Sequence, residues 1–390
     1  MDKKKKYIYF DHSATTPVLP EIAGVVCECF SKFYGNASEL HTPGHQAKEL
    51  LDRSRLTIAN TLGAKPREIV FTSGGTESDN LAVLGTAEAN QKKGNHIITS
   101  EVEHPAVLMP LRYLSRKGFK ITRVGVDKYG MVDPDDIRKA VTDHTILVSI
   151  MHANNIVGTI QPVTEIGKFL KERQILFHTD AVQSFCSIDT KVDDLNVDLL
   201  SISGHKFYAP KGIGALYVRK GTKIMPRLLG GGHEHGMRSS TENIPGIAGL
   251  AKAVQIGQKD IKEKFKNISA LRNYIKDSLT EKIGDIRFNG HPSERLPGNC
   301  NFSFKYIEGE AIVLRLDQEG IAVSSGSACS SSSMKPSHTL TAMGLSAEEA
   351  HGSLRITLGF ENTKKEADHL LEVLPKIISD LRKISPLYNK

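Results

Sequence analysis

Short apolar runs alternate with segments of helical periodicity between residues 67 and 218. This alternation is typical of βαβ units, which build a mostly parallel sheet covered by helices. The helical segments span residues 77–90, 106–116, 134–140 and 165–172. The apolar runs predict seven strands, at residues 69–72, 96–100, 120–124, 145–150, 176–180, 199–203 and 214–218. We therefore expect an α/β fold with a large seven-stranded, mostly parallel sheet.

The C-terminal part of the chain has a different order of elements. Helical periodicity runs from residue 246 through residues 267–281, and further helices are predicted at 309–319 and 364–382. Shorter strands are predicted at 286–289, 299–304 and 354–358. A chain of 390 residues exceeds one typical core, which favours two domains. We expect residues 15–257 to form a large domain and residues 1–14 with 258–390 a smaller α+β domain.

The composition, with 39% hydrophobic and 24% charged residues, is that of an ordinary globular protein. No apolar run approaches the roughly 18 residues that a membrane span requires. The basic head Lys3–Lys6 meets Asp11 before any apolar segment of signal-peptide length, so we expect a cytoplasmic protein. A net charge of +7 is modest for this length, and direct nucleic-acid binding is not expected.

The five cysteines are few and scattered, which suits a reducing compartment rather than a disulfide framework. Cys27 and Cys29 are separated by one residue instead of the two common in metal sites, and no second pair accompanies them. No metal site is expected.

Polar residues crowd the ends of two neighbouring predicted strands. Asp180 ends one strand, and Lys206 follows the next. An anion that keeps a ring nitrogen protonated and an amine that forms an imine are what pyridoxal phosphate (PLP) needs. The alternative is a strand cap and a solvated lysine, which is the usual position of each residue type. Ser203, His205 and Gln183 at the same strand ends favour the cofactor interpretation, because ligands bind beyond the carboxyl ends of such strands.

Three further segments follow predicted strands and could reach the same edge of the sheet. Gly75 and Thr76 lie in a glycine-rich turn before a helix, where backbone amides can face a phosphate, although such glycines often serve only the turn. His104 could stack on an aromatic cofactor and shuttle protons, or be an ordinary loop histidine. Asn155 could bond the cofactor or the substrate through its amide.

Two residues of the C-terminal part carry candidate chemistry. Cys329 lies in the segment 324–333, in which seven of ten residues are serine, and this composition predicts a mobile loop, about residues 324–337. A thiolate on such a loop could meet a bound intermediate and then an acceptor, unless Cys329 is a chance cysteine in a linker. Arg355 puts a guanidinium within an alternating apolar strand, where it would bind a substrate carboxylate or form a structural ion pair.

Together these segments resemble the NifS/IscS-like cysteine desulfurases, fold-type I PLP enzymes of the class-V aminotransferase family. The resemblance runs nearly end to end. Its most specific motifs are HTDAVQ at residues 178–183, SGHK at residues 203–206 and SSGSAC at residues 324–329, with YFDHSATTP at residues 9–17 and YGNAS at residues 34–38.

The resemblance implies a role for each candidate residue. Lys206 would hold PLP as an imine, Asp180 would pair with its ring nitrogen, and His104 would stack on the ring and manage protons. Asn155 and Arg355 would hold the substrate carboxylate. Gly75, Thr76, Ser203 and His205 would bind the phosphate, Gln183 the phenolate oxygen, and Thr241 would complete the phosphate site of a partner subunit, which implies a homodimer.

The implied activity is removal of sulfur from L-cysteine, giving L-alanine and a persulfide on Cys329. An acceptor protein, either an iron–sulfur scaffold or a tRNA-thiolation enzyme, would then take the sulfur. A selenocysteine lyase, an aminotransferase of the same fold and a non-catalytic assembly subunit are the alternatives. An aminotransferase would have no need for Cys329.

Two positions depart from the family pattern. Ile156 stands where an acidic residue commonly follows the two asparagines, so the chain lacks an acid close to the cofactor. Ser240 stands where a glycine usually precedes the phosphate-binding threonine, so we expect a changed approach of Thr241. Neither departure touches Lys206 or Cys329.

Overall fold

The computed structural model describes residues 7–325 and 336–388. Its strands in chain order are β1 (Ile8–Tyr9), β2 (Ile69–Thr72), β3 (His96–Ser100), β4 (Lys120–Val124), β5 (Thr145–Ser149), β6 (Leu176–Asp180), β7 (Leu199–Ser203), β8 (Gly214–Val218), β9 (Ile286–Asn289), β10 (Asn299–Phe304), β11 (Ile321–Ala322), β12 (Ser324–Ser325) and β13 (Ser353–Thr357).

The seven predicted strands form one sheet in the order β2-β8-β7-β6-β5-β3-β4. Pairing is parallel from β7 to β4, whereas β8 runs antiparallel to both of its neighbours. Helices cover both faces, so the central strands are buried runs of Ile, Leu, Val and Phe rather than alternating ones. The prediction of a seven-stranded, mostly parallel sheet is therefore confirmed.

Helices fill the connections between the strands. They are α1 (Pro20–Lys32), α2 (Thr42–Leu62), α3 (Gly75–Asn80), α4 (Thr86–Asn90), α5 (Pro105–Arg116), α6 (Pro134–Ala140), α7 (Val163–Glu172), α8 (Val192–Leu195), α9 (Ile244–Gln258), α10 (Ile261–Lys282), α11 (Gly309–Gln318), α12 (His338–Ala342), α13 (Ala347–His351) and α14 (Lys364–Ile384). Among the described residues, no helix has both the length and the apolar content needed to cross a membrane.

The helix predicted at residues 77–90 is divided. A wide π-helical turn, Leu81–Gly85, separates α3 from α4. At Gly85 a Cβ atom would lie 2.6 Å from the carbonyl oxygen of Met225, and the Gly85 carbonyl accepts the Met225 N–H at 2.9 Å. The close approach of a second backbone segment therefore requires glycine at this turn.

The C-terminal part has a separate antiparallel sheet in the order β12-β13-β10-β9. One face packs on α10, α11 and α14 around a second apolar core that includes Phe302 and Leu370. The N-terminal segment joins this core, because β1 pairs with β11 and Phe10 is fully buried there. The domain division at residues 257 and 258 stays a prediction.

The predicted loop at residues 324–337 is wrong at its first two positions. Ser324 and Ser325 form β12, which pairs with Arg355 and Leu354 of β13. Backbone hydrogen bonding to a neighbouring strand thus overrides the flexible serine composition at this end. Cys329 lies outside the described residues.

Candidate active site

A cavity of about 270 Å³ opens at the carboxyl edge of the large sheet. Six strands of this sheet run in one direction and end on this edge, and five of them, β2, β3, β5, β6 and β7, are followed by a residue of the cavity wall. Of the predicted site residues that the structure describes, all except Thr241 line it. They are Gly75, Thr76, His104, Asn155, Asp180, Gln183, Ser203, His205, Lys206 and Arg355.

Lys206 lies in a short 3-10 turn that follows β7. Its Nζ donates hydrogen bonds to the carbonyl oxygens of Ser13 and Ala14, both at 2.7 Å. Gln183 Nε2 donates to the same Ser13 carbonyl at 3.0 Å. The N-terminal segment therefore covers the amine and fixes where it enters the cavity.

Asp180 presents a buried carboxyl at the end of β6, with 5% of the residue exposed. Burial raises the pKa of Asp180 to about 6, while the Val182 N–H at 2.9 Å and the charge of Lys206 oppose the rise. A carboxylate that gains a cationic partner in this position is stabilised as the anion. The Asp180 carboxylate can therefore accept a hydrogen bond from a protonated ring nitrogen.

The turn between β2 and α3 forms a narrow cradle. Gly74 adopts φ +151°, a value that L side chains rarely adopt. A Cβ atom added at Gly75 would lie 2.7 Å from Val182 Cγ2 and 3.3 Å from Ser203 Cβ. Backbone amides at the start of α3 and the hydroxyl of Ser203 border this space, which fits a phosphate group. Thr76 also lines the cavity.

His205 borders the same cavity and pairs its Nδ1 with Thr15 Oγ1 at 3.1 Å. Burial, together with the charges of Lys206 and Lys211, lowers the pKa of His205 to about 4. A neutral imidazole can donate to a phosphate oxygen without adding charge.

His104 is the N-cap residue of α5, and its Nδ1 accepts the Ala106 N–H at 3.1 Å. Burial lowers the pKa of His104 to about 4, and the charges of Lys206 and His338 act in the same direction. The neutral ring therefore bears its proton on Nε2. The cap fixes both the tautomer and the orientation of the ring.

Arg355 is 2% exposed and lines the cavity from β13. Its Nη1 donates to the Asn155 carbonyl at 3.0 Å, and its Nη2 forms an ion pair with Asp11 Oδ1 at 2.9 Å. Its Nε is buried without a hydrogen-bond partner. The structural ion pair considered from the sequence is thus present, and the same guanidinium also borders the cavity.

Thr241 is exposed and does not line this chain's cavity. The preceding Ser240 adopts φ +101°, in the region that favours glycine. A non-glycine residue there stores backbone strain.

Ile156 is 4% exposed and belongs to a small apolar cluster with Leu340, Met343 and Leu345. The turn that carries it is fixed by Asn154 Oδ1, which accepts the N–H groups of Ile156 and Val157 at 2.9 and 3.0 Å. Ile156 therefore packs towards α12 and its neighbours.

Sequence reasoning missed two buried carboxyl residues beside this site. Asp79 lines the cavity and is 1% exposed, and Glu103 is fully buried. Asp79 lies four residues after Gly75, about one helical turn away, and so shares its face of the helix. Glu103 directly precedes His104. The distance of Asp79 from Gly75 along the helix and the position of Glu103 beside His104 can both be recognised in the sequence.

A model of the class-V aminotransferase family matches residues 8–370. Cysteine desulfurase IscS of Dictyoglomus turgidum is 50% identical over 382 residues, covering 98% of this chain and 97% of that protein. A solved structure described as a NifS-like protein has a TM-score of 0.90 at 38% identity, covering 96% of this chain and all 100% of the other. SspA, solved in complex with cysteine, has a TM-score of 0.77 at 38% identity, with coverage of 90% and 98%.

These matches extend over nearly the whole chain and agree with the geometry of the cavity, whose lysine, carboxyl and phosphate cradle suit PLP. The chain therefore belongs to the class-V aminotransferase family, among its NifS/IscS-like cysteine desulfurases, which are PLP-dependent enzymes.

Proposed function

We propose that this chain takes sulfur from L-cysteine, releases L-alanine and carries the sulfur as a persulfide on Cys329. The observation that carries the proposal is the meeting of Lys206, Asp180 and Arg355 in one cavity. Lys206 brings an amine, Asp180 a partner for a ring nitrogen and Arg355 a cation for a carboxylate. The likeness to SspA, which was solved with cysteine, supports the choice of amino acid.

PLP, when bound, supplies an electron sink for the electron pair left on the α-carbon of the amino acid. Lys206 would hold the cofactor covalently and, once released, take the α-proton on its Nζ. Arg355 and Asn155 would orient the substrate carboxylate. His104, with its proton on Nε2, would donate a proton to the substrate and take one back during these transfers.

Cys329 would attack the substrate sulfur as a thiolate. A new S–S bond forms, the bond between carbon and sulfur breaks, and its electron pair stays with the carbon atom, which takes up a proton. Covalent reach supports the assignment. Cys329 is the fourth residue after Ser325, whose strand pairs with β13 beside Arg355, so the chain between their Cα atoms spans at most ~14 Å.

The experiment is incubation of the purified enzyme with L-cysteine, followed by mass spectrometry of the peptide that contains Cys329. A mass increase of one sulfur atom on this peptide, together with release of alanine, is the expected result. Cys329→Ser should lose both, whereas Cys27→Ser, a change at an exposed cysteine, should lose neither. Unchanged turnover in Cys329→Ser would rule out the persulfide route and leave an aminotransferase or a selenocysteine lyase.

We further propose that the enzyme is cytoplasmic and passes its persulfide to an acceptor protein. An iron–sulfur scaffold and a tRNA-thiolation enzyme are the two acceptor classes, and the likeness to proteins named IscS supports the first. Mixing the sulfur-loaded enzyme with each acceptor and following the loss of the added mass from the Cys329 peptide separates them.

A homodimer is also proposed, in which Thr241 completes the phosphate site of the other subunit. Exposure of Thr241 outside its own cavity supports this arrangement. The loop that carries it is anchored by the buried pair of Arg55 and Glu234, whose atoms meet at 2.7 Å. A partner would therefore meet a preformed loop.

A further inference from the structure

A second carboxyl group, that of Asp79, lines the same cavity as Asp180. Asp79 lies in α3, one helical turn after the glycine cradle, and is 1% exposed. Its Oδ1 has no hydrogen-bond partner. The proposed reaction gives this side chain no step, although a buried carboxyl beside a charged site is costly to maintain.

Asp79 adjoins a row of polar side chains beneath Asp180. His178 precedes Asp180 by two residues on β6 and so lies on the same face of the sheet. Its Nδ1 is 2.8 Å from Ser149 Oγ on β5, and its Nε2 is 3.0 Å from Ser201 Oγ on β7. Asp79 Oδ1 lies 3.6 Å from the same Nε2. The row thus crosses three strands and ends at Asp79.

The charges in this row cannot all be present together. Burial raises the pKa of Asp79 well above its usual range, and the nearby charge of Asp180 raises it further, against a hydrogen bond from Ser201. Burial lowers the pKa of His178 to about 3, so this histidine is neutral and cannot balance a carboxylate. Two carboxylates that share a buried site do not both ionise.

Asp180 is the carboxyl favoured to ionise. It accepts the Val182 N–H and feels the charge of Lys206, whereas the counterpart contact of Asp79 is a single serine hydroxyl. The other titratable groups of the cavity wall, Arg355 and the neutral His104 and His205, add no second anion. The proton is therefore held by Asp79 rather than by Asp180.

We propose that Asp79 is a positioning residue, a carboxylic acid that keeps its proton beneath the cavity and, with Ser201 and His178, leaves Asp180 as the single anion facing the cofactor ring. This inference rests on the proposed role of Asp180 as partner of the ring nitrogen. It assigns the buried row of Ser149, His178 and Ser201 to the electrostatics of the site.

The first test is infrared spectroscopy of the holoenzyme at pH 7, labelled with ¹³C at the aspartate carboxyl carbon. The expected result is an isotope-shifted band of a protonated carboxyl group that disappears in Asp79→Asn. Glu103→Gln is the matched control, because it removes a buried glutamic acid whose band the label does not move. Absence of the labelled band, or its persistence in Asp79→Asn, would overturn the inference.

The second test compares Asp79→Ala with Asp79→Asn in cofactor dissociation constant and in the pH midpoint of the cofactor's visible absorption. Loss of one buried hydrogen-bonding group should weaken cofactor binding about fivefold and shift the midpoint, and the amide should recover most of both. Equal damage in the two variants would show that a negative charge at Asp79 is needed. Should Asp79→Ala fail to fold, the infrared result on Asp79→Asn still decides.

These tests separate the two levels of proposal. A missing band in an enzyme that still forms the Cys329 persulfide removes only the role of Asp79. An enzyme that binds PLP but forms no persulfide removes the proposed function and leaves the protonation of Asp79 to be read from the infrared spectrum.

Discussion

Arg355 and Asp11 join the two ends of the chain through a partly buried ion pair, with Nη2 2.9 Å from Oδ1. Asp11 follows β1, and the backbone just after it supplies the two carbonyl oxygens that hold Lys206. Burial raises the pKa of Asp11, and the charge of Arg355 opposes that rise. One contact therefore links the guanidinium that borders the cavity to the segment that places the lysine.

Arg355→Lys should lower kcat/KM for L-cysteine at least about tenfold, chiefly through KM. A lysine cannot reach both Asp11 and the Asn155 carbonyl while also offering a two-pronged site to a carboxylate. Steady-state kinetics with PLP in excess measure the effect. Arg295→Lys is the control, because Arg295 is a buried arginine that bonds the carbonyls of Val157 and Asn299 and does not line the cavity. An equal rise in KM in both variants would argue against a substrate contact.

Glu103→Gln should flatten the pH dependence of stability between about pH 5 and pH 8. Burial raises the pKa of Glu103 to about 8, with a further push from Asp180, against hydrogen bonds from Ser100 and the Met151 N–H. A carboxyl whose folded pKa is raised contributes stability that is present below its unfolded pKa and is lost as pH rises towards the folded value. As pH rises, the free energy of unfolding of the wild type should therefore fall by up to about 1.4 kcal/mol per pH unit more than that of the variant.

Urea unfolding of the cofactor-free protein at pH 5 and pH 8 gives this difference directly. Comparing each variant with the wild type cancels the contributions of the buried histidines. Glu101→Gln, at the neighbouring exposed position, should follow the wild type at both pH values. Parallel curves for the wild type and Glu103→Gln would mean that Glu103 is ionised in the folded protein.

Gly75→Ala should weaken PLP binding about tenfold with little loss of secondary structure. The new Cβ would lie 2.7 Å from Val182 Cγ2, so either the cradle or the turn after β6 must shift at a cost of about 1–3 kcal/mol. Gly24→Ala is the matched control, since nothing lies within 4 Å of a Cβ in that position of α1. That change should stabilise the protein by about 0.5–1 kcal/mol and leave the dissociation constant of PLP unchanged. Fluorescence titration measures the dissociation constant of PLP in the two variants. Equal affinities would contradict a phosphate cradle at Gly75.

The sequence located most of this site because residues that follow parallel strands converge on one edge of a sheet. Asp180 ends one strand, and Lys206 and His104 follow others. Each of these strands can be recognised in the sequence from its own apolar run. The pair of Arg355 and Asp11 spans 344 residues, and no local pattern encodes such a contact. The spacing of Asp79 from Gly75 indicates only a shared helix face, whereas its contacts with His178 and Ser201 come from strands about a hundred residues along the chain.

Residue composition gave the wrong expectation where contacts with distant parts of the chain determine the structure. Ser324 and Ser325 have the composition of a flexible linker, yet they form a strand because β13 offers them backbone partners. Ile156 was interpreted as the loss of an acid, whereas its position within an apolar cluster shows a gain in packing. That cluster joins residues nearly two hundred positions apart, so only the folded chain reveals it.

Ile156→Glu should destabilise the protein by about 3 kcal/mol. The carboxylate would replace a side chain that is 4% exposed and packed against the apolar side chains of Leu340 and Met343. Ile156→Val, which removes one methyl group, should cost only about 1 kcal/mol. Guanidinium unfolding measures both. A variant Ile156→Glu as stable as the wild type would show that this turn accepts an acid without loss of packing.

Subunits that carry Thr241→Val should regain activity when mixed with subunits that carry Lys206→Ala. In a homodimer with shared phosphate sites, the mixed dimer has one site with Lys206 from the first subunit and Thr241 from the second, and this site is intact. Its other site lacks both groups. Each variant alone has no complete site, so activity above the sum of the separate samples is expected after subunit exchange. Light scattering checks that the exchanging species are dimers.

Thr280→Val, at an exposed position of α10, is the control and should stay active alone. If Thr241 served its own subunit's cavity, exchange would restore nothing, because no combination of the two chains would place Lys206 and Thr241 at one site.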